Sequence, residues 1–170
     1  ARLKWPNDIL VGRRKLGGIL LDTTGTGSER RVVAGLGLNL TTRRSGFPAP
    51  LQGVATSVRI EIGHDVKPGG LAGRIVSRVE SELDRFRTDG WPPFREALSL
   101  LDALLGQEVL VRVGPVEVAG RVEGINDRGE LVVRDSEGVA RSFPAGDVHL
   151  GTGPRSGTRK KEVDRAGADP

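Results

Sequence analysis

The 170-residue sequence predicts an α+β chain, a mixed sheet packed by helices and then a compact run of further strands. Three observations carry this. Residues 1–62 hold short apolar runs cut by glycine- and asparagine-rich turns, the pattern of strands. From Pro68 apolar residues recur at spacings of three or four, the period of a helix. Beyond Gly106 they alternate, the period of a half-buried strand. Glycine, at 25 residues, is about twice its usual ~7%, so turns are frequent and long helix is scarce.

Taken in order, Ile9-Leu10-Val11 is a strand, Gly12-Arg13-Arg14 a hairpin break and Leu16-Gly17-Gly18-Ile19-Leu20-Leu21 the returning strand. Residues 23–30 form a polar loop, and Val32-Val33-Ala34-Gly35-Leu36-Gly37-Leu38 is a buried-strand candidate. Residues 41–54, with Pro48 and Pro50, read as a surface loop. Residues 55–62 fit either a strand, because Val58, Ile60 and Ile62 alternate, or a short helix.

Leu71, Ile75, Val79, Leu83 and Phe86 make one face of an amphipathic helix, entered at Pro68, stopped at Gly90 and expected to back the sheet. After Trp91-Pro92-Pro93 a second stripe of Phe94, Leu98, Leu101 and Leu105 runs to Gly106. Val109, Val111 and Val113 then alternate, followed by Val116, Val118 and Val122. Asn126-Asp127-Arg128-Gly129 and Ser136-Glu137-Gly138 are turns, and about five short strands result, the number expected of a small SH3-like β-barrel. A core of about 44 residues is marginal, so the barrel is expected to pack on the rest of the chain. The division is therefore 1–106, 107–150 and a polar tail, 151–170, expected to be disordered.

The net charge is +4, and its distribution matters more than its sum. Residues 1–106 carry 16 basic and 11 acidic groups, residues 107–150 carry 5 and 8, and residues 151–170 carry 5 and 3. The basic excess on the first segment favours an anionic ligand such as a nucleotide. Absence of cysteine excludes a disulfide scaffold, Cys-ligated zinc and a thiol nucleophile, and fits a reducing cytoplasm. No apolar run is long enough to span a bilayer, so no membrane partner is expected.

Several motifs fail. His64 and His149 are isolated, with no metal-ligand spacing around them. Gly35-Leu36-Gly37-Leu38-Asn39 lacks the third glycine of a dinucleotide loop, and no phosphate loop or nucleophile elbow is present. The informative stretch is Lys4-Trp5-Pro6-Asn7-Asp8, with Lys15-Leu16-Gly17-Gly18 just after it. A strand end, a tight turn and a hairpin would bring Asn7 and Asp8 to the mouth of the sheet, where an amide and a carboxylate can address a ligand or Mg²⁺. Lys15 would aim a cation at the same mouth. Taken singly, each part also reads as an ordinary turn, a solvated hairpin tip or a relief of crowding.

Together, Lys4-Trp5-Pro6-Asn7-Asp8, Lys15-Leu16-Gly17-Gly18-Ile19-Leu20, Gly35-Leu36-Gly37-Leu38-Asn39-Leu40 and Ala55-Thr56-Ser57 resemble, in order and spacing, the successive signatures of biotin protein ligases, also called biotin–[acetyl-CoA-carboxylase] ligases. The resemblance covers residues 1 to about 150. It implies a class II synthetase-like catalytic domain, incomplete here, followed by the family's C-terminal barrel. It implies synthesis of biotinyl-5′-adenylate from biotin and ATP with Mg²⁺, then transfer of biotin to a lysine of the carrier domain of acetyl-CoA carboxylase or a related carboxylase. By similarity Lys15 contacts the biotin carboxylate and then the adenylate, and Asp8 holds Mg²⁺ or orients the incoming amine. Asn7 and Asn39 address the nucleotide, Lys4 adds positive potential at the phosphates, Trp5 and Pro6 shape the turn and wall, and Gly17, Gly18 and Gly37 allow close backbone approach. A homodimer is among the assemblies the resemblance allows.

One departure is large: the family's glycine- and arginine-rich loop precedes the Lys-Trp-Pro-Asn-Asp element, and here only three residues precede Lys4. With no methionine at position 1, the expectation is a piece of a longer chain, inactive by itself, with any DNA-binding domain outside it. Two other readings compete. A small-barrel nucleic-acid-binding module is weakened by the acidic excess of residues 107–150 and by Phe143 as their only aromatic, so no nucleic-acid binding by this segment is expected. A ligase scaffold without turnover is weakened by the presence of both Asp8 and Lys15.

Overall fold

The computed structural model describes residues 1–151; the expected tail lies outside the described residues, apart from Gly151. Among the described residues, two sheets and three α-helices give an α+β chain. The first sheet has four strands in sequence order: β1 (Arg2–Lys4), β2 (Asp8–Val11), β3 (Arg14–Thr24) and β4 (Arg31–Leu38). All neighbours are antiparallel, and the parallel pairing expected of a mixed sheet is confined to two isolated bridges, Leu3 with Asp102 and Lys15 with Ala55. Consecutive strands joined by tight turns have no room for a parallel crossover. Gly12, at φ 59, takes the left-handed conformation that the two-residue turn from Val11 to Arg14 requires. Between Ile9 and Leu10 the register slips, leaving Leu16 as an extra residue on β3.

The segment that fits either period is a helix, α1 (Val58–Ile62). Ser57 decides it: its Oγ accepts from Ile60 N–H at 3.2 Å, and Gly63, at φ 83, closes the other end. The amphipathic helix, α2 (Pro68–Asp89), has the expected bounds. It does not back the sheet, however. None of its residues is buried, and its principal partner is α3 (Pro92–Leu101), which it meets through Phe86 and Phe94 rings 5.5 Å apart. Its apolar stripe and the β3–β4 side chains Leu21 and Val32 stay exposed. The second helix stops at Leu101, short of the expected Gly106, because Asp102 turns to extended backbone and bridges to Leu3.

Beyond it lie β5 (Glu108–Val113), β6 (Val116–Ile125), β7 (Leu131–Asp135), β8 (Ala140–Phe143) and β9 (Asp147–Leu150), an antiparallel sheet in the order β8-β7-β6-β5-β9. Alternate residues Val109, Val111, Val122, Leu131, Val133, Phe143 and Val148 face one core, as the period-2 pattern requires. Leu104 and Trp5 complete that core, so the barrel is plugged by a side chain from the first sheet. No helix among the described residues is long and apolar enough to cross a membrane.

Candidate functional site

Four strands place four of the expected site residues in one line. Lys4 pairs with Asp8, Asp8 with Gly18, and Gly18 with Gly37, so a single row across the sheet runs cation, carboxylate, glycine, glycine. Partners in register share a face of a sheet, so these four positions point the same way. Lys15 joins them from the next row, opposite Leu10. Its Nζ lies 2.5 Å from Asp8 Oδ1, and Lys4 Nζ lies 3.9 Å from Asp8 Oδ2. Two ammonium groups around one carboxylate leave a local excess of one positive charge, which favours an anion.

The glycines differ in why they are glycine. A Cβ on Gly17 would fall 2.2 Å from Gly37 O, so the fold itself excludes a side chain there. At Gly18 it would stand 3.3 Å from Asn7 O and 3.7 Å from Asp8 Oδ1, crowding the charge pair. At Gly37 it would meet nothing nearer than Gly18 O at 3.9 Å, an ordinary contact. Packing does not demand glycine at Gly37, and the residue lines a cleft of about 570 Å³ with Lys15, Gly17, Gly18, Leu38 and Asn39, closed by Phe47, Leu51 and Val54. Lys15 also lines a second cleft with Lys4, Asp8 and Arg13, walled on its far side by Val148, His149 and Leu150 of β9. A larger hollow, along α2, reflects that helix's unpacked apolar stripe and is lined by none of these charged residues.

A backbone frame holds Lys15 in place. Its N–H donates to Val54 O at 2.8 Å, and its carbonyl accepts from Thr56 N–H at 2.9 Å. Asn39 ties the next layer: its N–H donates to Leu16 O at 2.9 Å, its Nδ2 to Thr56 O at 3.0 Å, and its carbonyl accepts from Val58 N–H at 2.8 Å. Thr56 and Ser57 are fully buried; Ser57 Oγ donates to Thr42 O at 2.6 Å, and Thr56 Oγ1 donates to Glu61, which also takes Arg14 Nη2 at 2.9 Å. Sequence reasoning missed Glu61, Phe47 and the framing role of Thr56 and Ser57. A serine just before an apolar segment is a helix-cap signal that could have flagged Ser57.

Two expectations need correction. Trp5 does not wall the cleft: it is 8% exposed, sits in the barrel core, and its Nε1–H donates to Gly129 O at 3.1 Å. A large indole gains more by filling the barrel than by lining a wet mouth. Asp8 is not a prepared magnesium ligand either, since both its oxygens already face lysines, and no three His, Asp or Glu side chains converge among the described residues. Magnesium takes most of its ligands from phosphates and water, and this donor set does not fit a protein-held ion. Asn7 is placed by its carbonyl, which accepts from Ile19 N–H at 2.9 Å.

Comparison with known proteins agrees with this layout. Residues 1–39 match the biotin/lipoate A/B protein ligase family, and residues 104–151 match the biotin protein ligase C terminal domain. The chain is 36% identical over 154 residues to a biotin--[acetyl-CoA-carboxylase] ligase of Paracoccus denitrificans, covering 88% of this chain and 62% of the relative. It is 31% identical over 150 residues to the bifunctional ligase/repressor BirA of Escherichia coli, covering 88% of this chain and 46% of that protein. The chain thus spans about half to two thirds of the length of these relatives. Its fold is shared with the biotin protein ligase from Aquifex aeolicus solved in complex with biotin and ATP, at a TM-score of 0.74 and 22% identity, over 89% of this chain and 62% of that one. One family model covers the lysine-bearing sheet and the other the barrel, and the four sequence signatures fall on the row and frame just described: the chain belongs to the biotin protein ligase family.

Proposed function

We propose that the protein containing this chain forms biotinyl-5′-adenylate from biotin and ATP and passes biotin to a lysine of a carboxyl-carrier domain, that of acetyl-CoA carboxylase or a related enzyme. The observation that carries this reading is the Lys15–Asp8 pair at 2.5 Å beside a glycine-lined cleft. In the first step an oxygen of the biotin carboxylate attacks the α-phosphorus of ATP, the bond to the β,γ-diphosphate breaks, and pyrophosphate leaves. Two anions approach each other, so a fixed cation is needed where charge builds. Lys15, held by its own backbone on two sides, supplies it, with Lys4 adding potential. Gly18 and Gly37 leave room for the mixed anhydride against the sheet, and Asn39, which lines that cleft, and Asn7 face the nucleotide.

In the second step the carrier's ε-amine attacks the anhydride carbonyl, the C–O bond to AMP breaks, and the amine loses a proton as the amide forms. Asp8, already a partner of ammonium groups, orients that amine. Mg²⁺ travels with the ATP phosphates rather than with a protein site. A cytoplasmic location fits the cysteine-free composition. A homodimer fits an antiparallel sheet whose outer strand, β4, has one edge without a partner among the described strands.

The test is biotin-dependent pyrophosphate release by the whole protein, followed by transfer of labelled biotin to a carrier-domain lysine. Release that requires biotin and falls sharply in Lys15→Ala supports the proposal. Release independent of biotin, or absent in the whole protein, removes it.

A further inference from the structure

The turn that carries Asn7 and Asp8 is held from outside its own sheet. On its N-terminal side, Leu3 O accepts from Ala103 N–H at 2.7 Å and the Arg2 guanidinium donates to Asp102 O, both in the segment leading into the barrel. The Trp5 indole then enters the barrel core beside Leu104, Leu131 and Phe143 and donates to Gly129 O. That carbonyl is itself fixed. Asn126 Oδ1 accepts from the N–H groups of Arg128 and Glu130 at 2.9 and 3.1 Å, and Gly129 N–H donates to Asn126 O at 3.0 Å. Arg95 of α3 grips the same turn, its Nη1 2.7 Å from Asp127 Oδ1.

The sheet holds the C-terminal side of the turn, where Asp8 pairs with both Lys4 and Gly18, but its hold on the N-terminal side is slight. β1 pairs over three residues, and Ile19 N–H to Asn7 O, at 2.9 Å, ties the turn to β3. A short edge strand is marginal alone, whereas a side chain packed in a dense core is fixed by many contacts. We infer that Trp5 is a positioning residue for the Lys15–Asp8 pair, so that the barrel, through Trp5 and the 126–129 turn, sets where Asp8 stands. Trp5 touches no reacting atom and acts through the backbone of Pro6 and Asn7. Displacing the barrel by an ångström would move Asp8 by a distance that matters for a hydrogen bond and for catalysis. The consequence for turnover rests on the ligase reading; the mechanical coupling does not.

Two variants separate coupling from mere stability. Trp5→Phe keeps an aromatic ring in the barrel and deletes the N–H, whereas Val133→Ala loosens the same core with Trp5 in place. Amide hydrogen exchange of residues 1–170 is followed at Ile19, which donates to Asn7 O, and at Val122, which donates to Gln107 O inside the barrel. Trp5→Phe should speed exchange at Ile19 by about tenfold, and by more than at Val122. Val133→Ala, with the indole N–H link intact, should speed exchange at Val122 by more than at Ile19. No change at Ile19 in Trp5→Phe, or equal acceleration there by Val133→Ala, overturns the coupling.

In the whole protein, Trp5→Phe should lower kcat for biotin-dependent pyrophosphate release by about tenfold at unchanged KM for ATP. Val133→Ala should leave kcat in place below its unfolding temperature. Altered exchange at Ile19 with normal kcat overturns the positioning role. A wild-type protein that releases no pyrophosphate overturns the ligase reading and leaves the exchange result to decide the coupling.

Discussion

Lys15 Nζ stands 2.5 Å from Asp8 Oδ1 across β2 and β3, and the ion pair is half open to solvent on the lysine side. An exposed pair of this kind contributes about 1 kcal/mol or less to stability, so its value lies in charge placement. Lys15→Ala should leave the fold intact and lower adenylate formation by about 10²–10³. Arg14→Ala, which removes the partner of Glu61 on α1, should shift the denaturation midpoint and spare the rate. Equal losses of pyrophosphate release in the two variants would show that Lys15 is one more basic residue of a hairpin.

Asp8→Asn separates the two half-reactions. The amide keeps the size of the side chain and loses the charge that orients the incoming amine. Biotin transfer to the carrier should fall by at least about tenfold more than pyrophosphate release does. Single-turnover assays of each step give the comparison.

Gly17 and Gly18 are adjacent and should fail differently. Alanine at 17 drives a Cβ into the Gly37 carbonyl and should cost on the order of 1–3 kcal/mol, read by urea denaturation. Alanine at 18 asks Asn7 O to move by a few tenths of an ångström. It should cost under about 1 kcal/mol and lower activity through the displaced Asp8. Matching stability losses at the two positions would remove the distinction.

Two aspartates set opposite pH dependences. Burial pushes the Asp102 carboxyl up, partly offset by the backbone N–H groups of Leu104 and Leu105 and by the Arg2 charge. The folded chain therefore holds that proton more tightly than the unfolded chain, and this contribution to stability is present at low pH and lost as pH rises through the elevated value. Asp102→Asn, which still accepts from Leu104 N–H, should flatten that part of the profile in denaturation measured between about pH 4 and pH 8. At Asp135 the Arg141 guanidinium, then the Val139 N–H, hold the carboxyl down. Its contribution is present above the ordinary carboxylate range and lost as pH falls through the lowered value, and Arg141→Ala, which leaves the Val139 and Glu137 N–H donors in place, should reduce it. A profile unchanged by both substitutions would contradict these assignments.

Leu21 and Val32 lie on the same face of adjacent strands and are 64% and 62% exposed, while Val79 and Leu83 on α2 are half exposed. Open apolar stripes of this length favour association. Residues 1–170 as an isolated chain should bind a hydrophobic dye and sediment above monomer mass. Leu21→Lys with Val32→Lys should reduce both without loss of circular dichroism. A monomeric wild-type chain that binds no dye contradicts this.

Local pattern made most elements legible. The three- and four-residue spacing from Leu71 to Phe86 delimits α2, and the alternation of Val109 and Val111 marks β5, because each is a property of consecutive residues. What α2 packs against was not legible, since an apolar stripe announces that it needs a partner and not which one. The same limit hid the destination of Trp5, whose acceptor at Gly129 is 124 residues away. Of the site, Lys4, Asp8, Gly18 and Gly37 could be singled out from motif and resemblance, but their meeting in one row depends on register, which side-chain identity does not state.

Lys15 and Gly18 are three residues apart, an odd count that in an unbroken strand sends side chains to opposite sides. Both nevertheless stand on the side of Asp8, because Leu16 is kept out of the ladder. Were Leu16 drawn in opposite Leu10, Lys15 would fall opposite Val11 and its ammonium would emerge on the far side of the sheet. Parity along β3 thus decides whether the charge pair exists, and a slip of one step would disarm the site with every amino acid still in place.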